Sequence, residues 1–246
     1  MVKTHACKQV TLAGDLEALR MLTVLCSALL AHAGDDSLVT DRPDIAESSL
    51  VVGKGTYQLE QGVSVEGADG GTTLGAPSLS RYGVGGNLEL RLETPWVQAS
   101  GGSVEFPGAA VGIKWHAPTD AASVAILAHA DVGADGKVAP IVKLAYDADL
   151  PAGLELGVNV GGTTAPGFGP ASALWATAVG RSVTDSLRFY VEASGDYVLS
   201  AGVATVAFDG GASYLLNDDV QLDASALYGA VGGGWAAGAG VSVRFD

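Results

Sequence analysis

Apolar residues alternate one-on, one-off along almost the whole chain beyond residue 56, in runs longer than ordinary strands. Leu88, Leu90 and Leu92 fall on one face, and Glu89, Arg91 and Glu93 on the other. Leu154, Leu156, Val158 and Val160 oppose Glu155, Gly157, Asn159 and Gly161. Leu187, Phe189, Val191 and Ala193 oppose Arg188, Tyr190, Glu192 and Ser194. The last run sets Trp235, Ala237, Ala239, Val241, Val243 and Phe245 against Gly238, Gly240, Ser242 and Arg244. A period of two residues marks strands with one apolar face, because successive side chains point to opposite sides. About twelve such runs begin near Tyr57, Thr73, Leu88, Glu105, Ser123, Val138, Gly153, Ser172, Leu187, Val203, Val220 and Gly234, most of them 9–11 residues long. Soluble strands peak at about 5–6 residues, whereas a tilted strand needs about 9–11 to cross a bilayer. The fold expected is therefore all-β: a transmembrane antiparallel up-and-down β-barrel of about 12 strands, after an N-terminal signal peptide.

Composition removes most alternatives. Of 246 residues, 48% are hydrophobic and 16% charged, which rules out an ordinary disordered chain. The 35 glycines argue against a helical bundle. With 13 Lys and Arg against 27 Asp and Glu, the net charge of −14 excludes a nucleic-acid partner, since that binding rests on cations neutralising phosphates.

The apolar run Met21–Ala33 is too short for a spanning helix. It follows Lys3, Lys8 and Arg20 and ends in Ala31-His32-Ala33 ahead of Gly34-Asp35-Asp36. This is the layout of a secretory signal peptide. The expected organisation is a signal peptide at 1–33 (from an over-extended start or from Met21), a periplasmic N-terminal segment at 34–55 and an outer-membrane barrel at 56–246. Cys7 and Cys26 both fall in the leader, so no disulfide framework is expected in the mature chain.

Connections alternate as well. Short turns at Gly83–Asn87, Ala117–Ala122, Asp147–Ala152, Ser182–Ser186 and Leu216–Asp219 are interleaved with mostly longer links, such as Pro95–Val104 and Gly162–Pro170. An antiparallel meander would gather the short turns on one rim and the longer links on the other. Tyr82, Tyr146 and Tyr214 precede short turns, and Trp96, Tyr228 and Trp235 flank long links, where an aromatic girdle would sit.

The face opposite the apolar one carries the candidate lumen residues: Glu60, Glu89, Arg91, Glu93, Lys114, Lys143, Glu155, Arg188, Glu192, Asp223 and Arg244, with His116, Asp147, Asn159 and Asp209. Eight strands give a filled interior and 16–18 a water channel, so about twelve falls between them. Ahead of the first strand lies Thr40-Asp41-Arg42-Pro43-Asp44, with Glu47 three residues on. It sets one cation between carboxylates on a stiffened link. The segment is expected either to fold into the periplasmic mouth as a small plug paired with lumen charges, or to cap the first strand as a plain turn.

No metal, cofactor or catalytic site is expected. Beyond the leader there are two histidines, His116 and His129, no cysteine and no G-x-S-x-G elbow.

Thr40-Asp41-Arg42-Pro43-Asp44 with Glu47, the opening Gly55-Thr56-Tyr57-Gln58-Leu59-Glu60, the turn Val183–Glu192 and the ending Gly234–Asp246 resemble, taken together, the family of outer-membrane barrels named for the meta pathway of phenol degradation. The resemblance runs from about Leu38 to Phe245. It implies a bacterial outer-membrane location and a role in the passage of small compounds, aromatic ones included; it supplies no binding residues. The function expected is a channel for passive passage of small, hydrophobic or aromatic molecules. Its expected partners are outer-membrane lipid, a small-molecule solute and the barrel-assembly machinery. A non-transporting structural or adhesive barrel is the alternative, with a barrel-embedded hydrolase or a secreted β-sandwich behind it.

Overall fold

The structure, a computed structural model, describes residues 38–68, 71–94, 98–101, 103–119 and 122–245. The expected signal peptide and Trp96 lie outside these residues. Strands follow one another as β1 (Tyr57–Ala68), β2 (Gly71–Gly75), β3 (Ser78–Gly85), β4 (Leu88–Thr94), β5 (Gln98–Ser100), β6 (Ser103–Glu105), β7 (Gly108–Ala117) and β8 (Ser123–Gly133). They continue as β9 (Val138–Leu150), β10 (Leu154–Thr164), β11 (Ala171–Ser182), β12 (Leu187–Val198), β13 (Val203–Ala204), β14 (Val206–Asn217), β15 (Val220–Val231) and β16 (Trp235–Phe245). Twelve of them, β1, β3, β4, β7 to β12 and β14 to β16, form an antiparallel meander. It closes where β16 pairs with β1, from Tyr57 opposite Phe245 to Gly67 opposite Trp235. Closure leaves the twelve-strand meander no free edge, which a sheet in hydrocarbon requires, because each unpaired backbone group there costs several kcal/mol. It also removes the two-sheet sandwich from consideration.

Two runs depart from the alternation read in the sequence. The run from Thr73 is split at Ala76-Pro77 into β2 and β3, because proline has no N–H to give the ladder. Its carbonyl still accepts from Gly62 N–H at 2.8 Å. The run near Glu105 starts at Gly108, because Ser103–Glu105 folds back on Gln98–Ser100 as a small hairpin in the β4–β7 link. The tightest short turn, between β3 and β4, turns on Gly86 (φ 63) and Asn87 (φ 60), the pair of positive φ values a two-residue hairpin needs. All the short turns share a rim with Tyr57 and Phe245, and the longer links share the opposite rim.

The two faces separate cleanly. Outward residues are apolar and exposed: Val63 is 63% exposed, Val111 54% and Val191 66%. Each would gain about 1 kcal/mol by taking its remaining exposed surface out of water, so the belt is matched to lipid. Inward residues are polar and covered, with Glu60, Arg81, Glu89 and Lys114 fully buried. Twelve strands spaced about 4.8 Å apart and tilted about 40° make a barrel roughly 24 Å across between Cα atoms. Allowing about 5 Å of side chain on each wall leaves room for one further peptide chain.

Candidate functional site

That room is occupied by the chain's own residues 39–54. Thr40 to Val52 cross the lumen without joining the sheet ladder, and Asp41, Ala46, Glu47, Ser49 and Val52 are buried there. The residues singled out ahead of the first strand meet those singled out on the wall. Asp41 accepts from Lys114 Nζ at 2.7 and 2.9 Å and from Arg91 Nη1 at 2.5 Å, and it lies 3.8 Å from Arg81. Arg42 donates to Asp223 at 2.9 and 3.3 Å. Asp44 pairs with Arg188 at 3.0 Å, and Arg188 also reaches Glu155 at 2.8 Å. Glu47 takes Arg91 at 2.8 Å and Lys143 at 2.5 Å. Thr40 Oγ1 accepts from Gln221 and donates to the Arg42 carbonyl. The Pro43 carbonyl accepts from Tyr190.

The seat of Arg42 explains two inward glycines. A Cβ built on Gly62 or on Gly240 would stand 2.6 Å from its guanidinium, so any side chain there would displace it.

Wall carboxylates are also held by the segment's backbone. Glu60 accepts from the N–H groups of Asp41 and Arg42, and Glu192 from those of Ile45 and Ala46 at 2.7 Å each. Asp147 accepts from Ser49 N–H and from the Ser48 and Ser49 hydroxyls, and Glu89 accepts from Val52 N–H. Asn159 bonds both the N–H and the C=O of Glu47. The His116 Nδ1 lies 3.0 Å from the Ser49 carbonyl oxygen.

Burial alone would raise the pKa values of the segment's carboxyls, and the balance differs along it. At Asp41, Arg81, Lys114 and Arg91 overcome burial and hold the carboxyl well below its ordinary value. At Glu47, burial is again outweighed, by Arg91 and Lys143, and the carboxyl is lowered. At Asp44, burial wins over Arg188 and the carboxyl is raised.

Other lumen candidates lie where the register puts them. Glu93 is inward beside His129, whose Nδ1 is 3.1 Å from it. Arg244 is inward at the short-turn rim and paired with Asp219 at 2.7 Å. Asp209 is inward opposite Glu192. Tyr82, Tyr146 and Tyr214 face outward near the short-turn rim, and Tyr228 and Trp235 face outward as a directly opposed pair near the other. Tyr57 and Phe245, with rings 5.8 Å apart, join the first group.

Sequence reasoning missed Arg81 and Gln58. Arg81 is fully buried and joins Glu60 at 3.0 Å, Glu89 at 2.8 Å and the Val39 and Leu50 carbonyls. A bulge between Gly83 and Gly85 sets Arg81 opposite Arg91, on the lumen face; counting back from the Gly86-Asn87 turn without it sets Arg81 opposite Leu92, on the lipid face, so the turn carries no signal for it.

Two cavities of about 780 Å³ each flank the segment. The one toward the short-turn rim mixes apolar groups with polar ones, among them Thr40, Ser123, Asp147, Glu155, Arg188 and Gln221. The one toward the long links has walls of Leu79, Pro107, Ala110, Ala139, Ile141, Pro166 and Leu174 over a charged floor. No helix among the described residues is long and apolar enough to cross a membrane.

The profile of the family described as "Putative MetA-pathway of phenol degradation" matches residues 40–245. No curated protein sequence matches. Among solved structures, the COG4313 outer membrane channel from Pseudomonas putida F1 is 9% identical, with a TM-score of 0.63 over 80% of this chain and 98% of that one. The NanC porin is 11% identical, with a TM-score of 0.58 over 75% and 98%. The KdgM porin, solved in complex with disordered oligogalacturonate, is 12% identical, with a TM-score of 0.58 over 77% and 99%. At these identities the likeness is one of fold: a porin-type barrel.

Proposed function

Because this chain belongs to the family described as "Putative MetA-pathway of phenol degradation" and closes into a porin-type barrel, we propose that it is an outer-membrane channel for passive passage of small molecules with apolar or aromatic bodies, its lumen shut by residues 39–54. The observation that carries the reading is the 780 Å³ cavity on the long-link side, whose aliphatic and proline walls are more apolar than the mixed walls across the segment. A porin for sugars or ions has no use for such a surface; a solute with an apolar body gains by reaching it. Short turns gathered on the one rim where β1 begins and β16 ends put that rim in the periplasm and the apolar cavity outside. The lipid belt, the solute and the assembly machinery are its partners in this reading, and no catalytic step is involved.

One observation favours a non-conducting structural barrel instead, namely the dense ion pairing that anchors the segment. Purified protein in proteoliposomes decides between them. Uptake of toluene or benzyl alcohol above that of empty vesicles is the expected result, with more uptake once the segment is loosened. No uptake from either form would leave the structural barrel standing.

A further inference from the structure

The floor of the long-link cavity is unevenly charged. Most ions that line it are matched: Asp41 by Lys114 and Arg91, Glu47 by Arg91 and Lys143, Asp44 by Arg188 and Arg42 by Asp223. Two carboxylates differ. Asp131, half-buried at the cavity wall, makes no hydrogen bond and no ion pair among the described residues. Its closest charged or titratable neighbours are Glu93, His129 and Lys143, and Lys143 is already taken by Glu47. Glu93, with 38% of its side chain exposed, leans on His129 and reaches Arg91 only at 3.4 Å.

The register places these two carboxylates either side of one small residue. Glu93 on β4 is opposite Ala110 on β7, and Ala110 is opposite Asp131 on β8. Two strand spacings separate their backbones by roughly 10 Å, with Ala110 on the strand between them. Both carboxylates line the same cavity. The same cavity is lined by the apolar Leu79, Ile141 and Leu174, and Lys137, which also lines it, is paired with Asp135 at 2.6 Å.

We infer that this cavity binds small organic cations, a protonated amine seated between Glu93 and Asp131 with its aliphatic or aromatic body against Leu79, Ile141 and Leu174. Charge-assisted hydrogen bonds to a half-buried carboxylate are stronger than neutral ones, so the head group decides affinity while the wall accepts many bodies. A carboxylate head on the same ring meets two like charges and is rejected. This deepens the channel reading and rests on it for the route the solute takes.

The test uses the full chain purified in detergent and calorimetric titration at neutral pH with benzylamine, benzyl alcohol and benzoate. These three probes share a ring and differ in head charge. Benzylamine is expected to saturate at least tenfold tighter than benzyl alcohol, with benzoate weaker than both. Asp131→Asn should weaken benzylamine about fivefold, the scale of one partly screened ion pair, and leave benzyl alcohol unchanged. Asp131 has no partner to unravel, so the variant keeps its native unboiled gel mobility; Glu93→Gln provides an independent second reading in the same direction. Equal affinity for amine and alcohol, or an unchanged amine affinity in Asp131→Asn, overturns the inference. Vesicle uptake separates this from the channel reading. Uptake without amine preference in binding sinks the site alone, while amine binding without uptake sinks the channel and leaves the site.

Discussion

Asp41 is the carboxylate on which seating of the lumen segment depends most, and replacing it with asparagine should open the barrel. The charge lost is the one held 2.7 Å from Lys114 and 2.5 Å from Arg91. Removing one partner of a buried pair costs about 3–5 kcal/mol, because the other charge stays buried. Here Arg91 keeps Glu89 and Glu47, and Arg81 keeps Glu60 and Glu89. Lys114 keeps only the carbonyls of Ser48 and Leu50, which belong to the segment itself. The lower end, about 3 kcal/mol, is therefore the fitting figure. At about 1.4 kcal/mol per decade, the ratio of released to seated segment rises roughly 100-fold. Planar-bilayer recording reads this as open probability: rare openings in the parent chain, frequent ones in Asp41→Asn. A tether supplies the control. Ser49 Oγ lies 2.6 Å from Ser123 Oγ on β8, and the described residues contain no cysteine. Ser49→Cys with Ser123→Cys, oxidised in the Asp41→Asn background, should restore closure, and a reductant should reverse it. An unchanged open probability in Asp41→Asn, with native unboiled mobility retained, would refute the assignment of the seat to this carboxylate.

Two further outcomes follow from the same geometry. Because Asp41 is held below its ordinary value of 3.8, its contribution is complete above the unfolded value and is lost as pH falls through the folded one. The difference between parent and Asp41→Asn in the temperature at which unboiled mobility is lost should be constant from neutral pH to about pH 4 and vanish well below it. Leu144 lies mid-strand on the outward face of β9 and is 44% exposed, so Leu144→Arg should cost about 2–4 kcal/mol, measured as a lower folded fraction in lipid vesicles.

Much of this architecture is legible in one strand's worth of sequence at a time. Leu88 to Glu93 declares both faces by alternation alone, and the register leaves them where the alternation put them. The breaks needed more than periodicity. Pro77 interrupts a run whose apolar spacing reads on through it, and the small hairpin Gln98–Ser100 with Ser103–Glu105 lies in a stretch that reads as link. Arg81 escaped because the bulge between Gly83 and Gly85 shifts its strand by one residue against β4, which no alternation records. Pairing partners such as Asp44 with Arg188, 144 residues apart, are set by barrel closure and register, which no local pattern records.

The excess of acidic over basic residues on the inner wall has its explanation in the same place. Counted as charges, Glu60, Glu89, Glu192 and Asp147 outnumber the cations available to them, and a lumen so lined reads as electronegative. The segment answers with its backbone. A chain crossing the lumen outside any ladder has N–H groups with no strand to receive them, and a buried N–H left unpaired costs as much as a lost hydrogen bond. Glu60 takes two of them, Glu192 two, and Asp147 and Glu89 one each. Each side therefore satisfies what the other would leave exposed: the wall acids seat the crossing chain, and the crossing chain's N–H groups stabilise wall acids that have too few cations. Backbone amides are invisible to a count of charged residues, so the sequence shows the surplus of carboxylates but not the donors that absorb it. Releasing the segment would expose those carboxylates to water together, giving an opened lumen a negative lining that favours cations over anions.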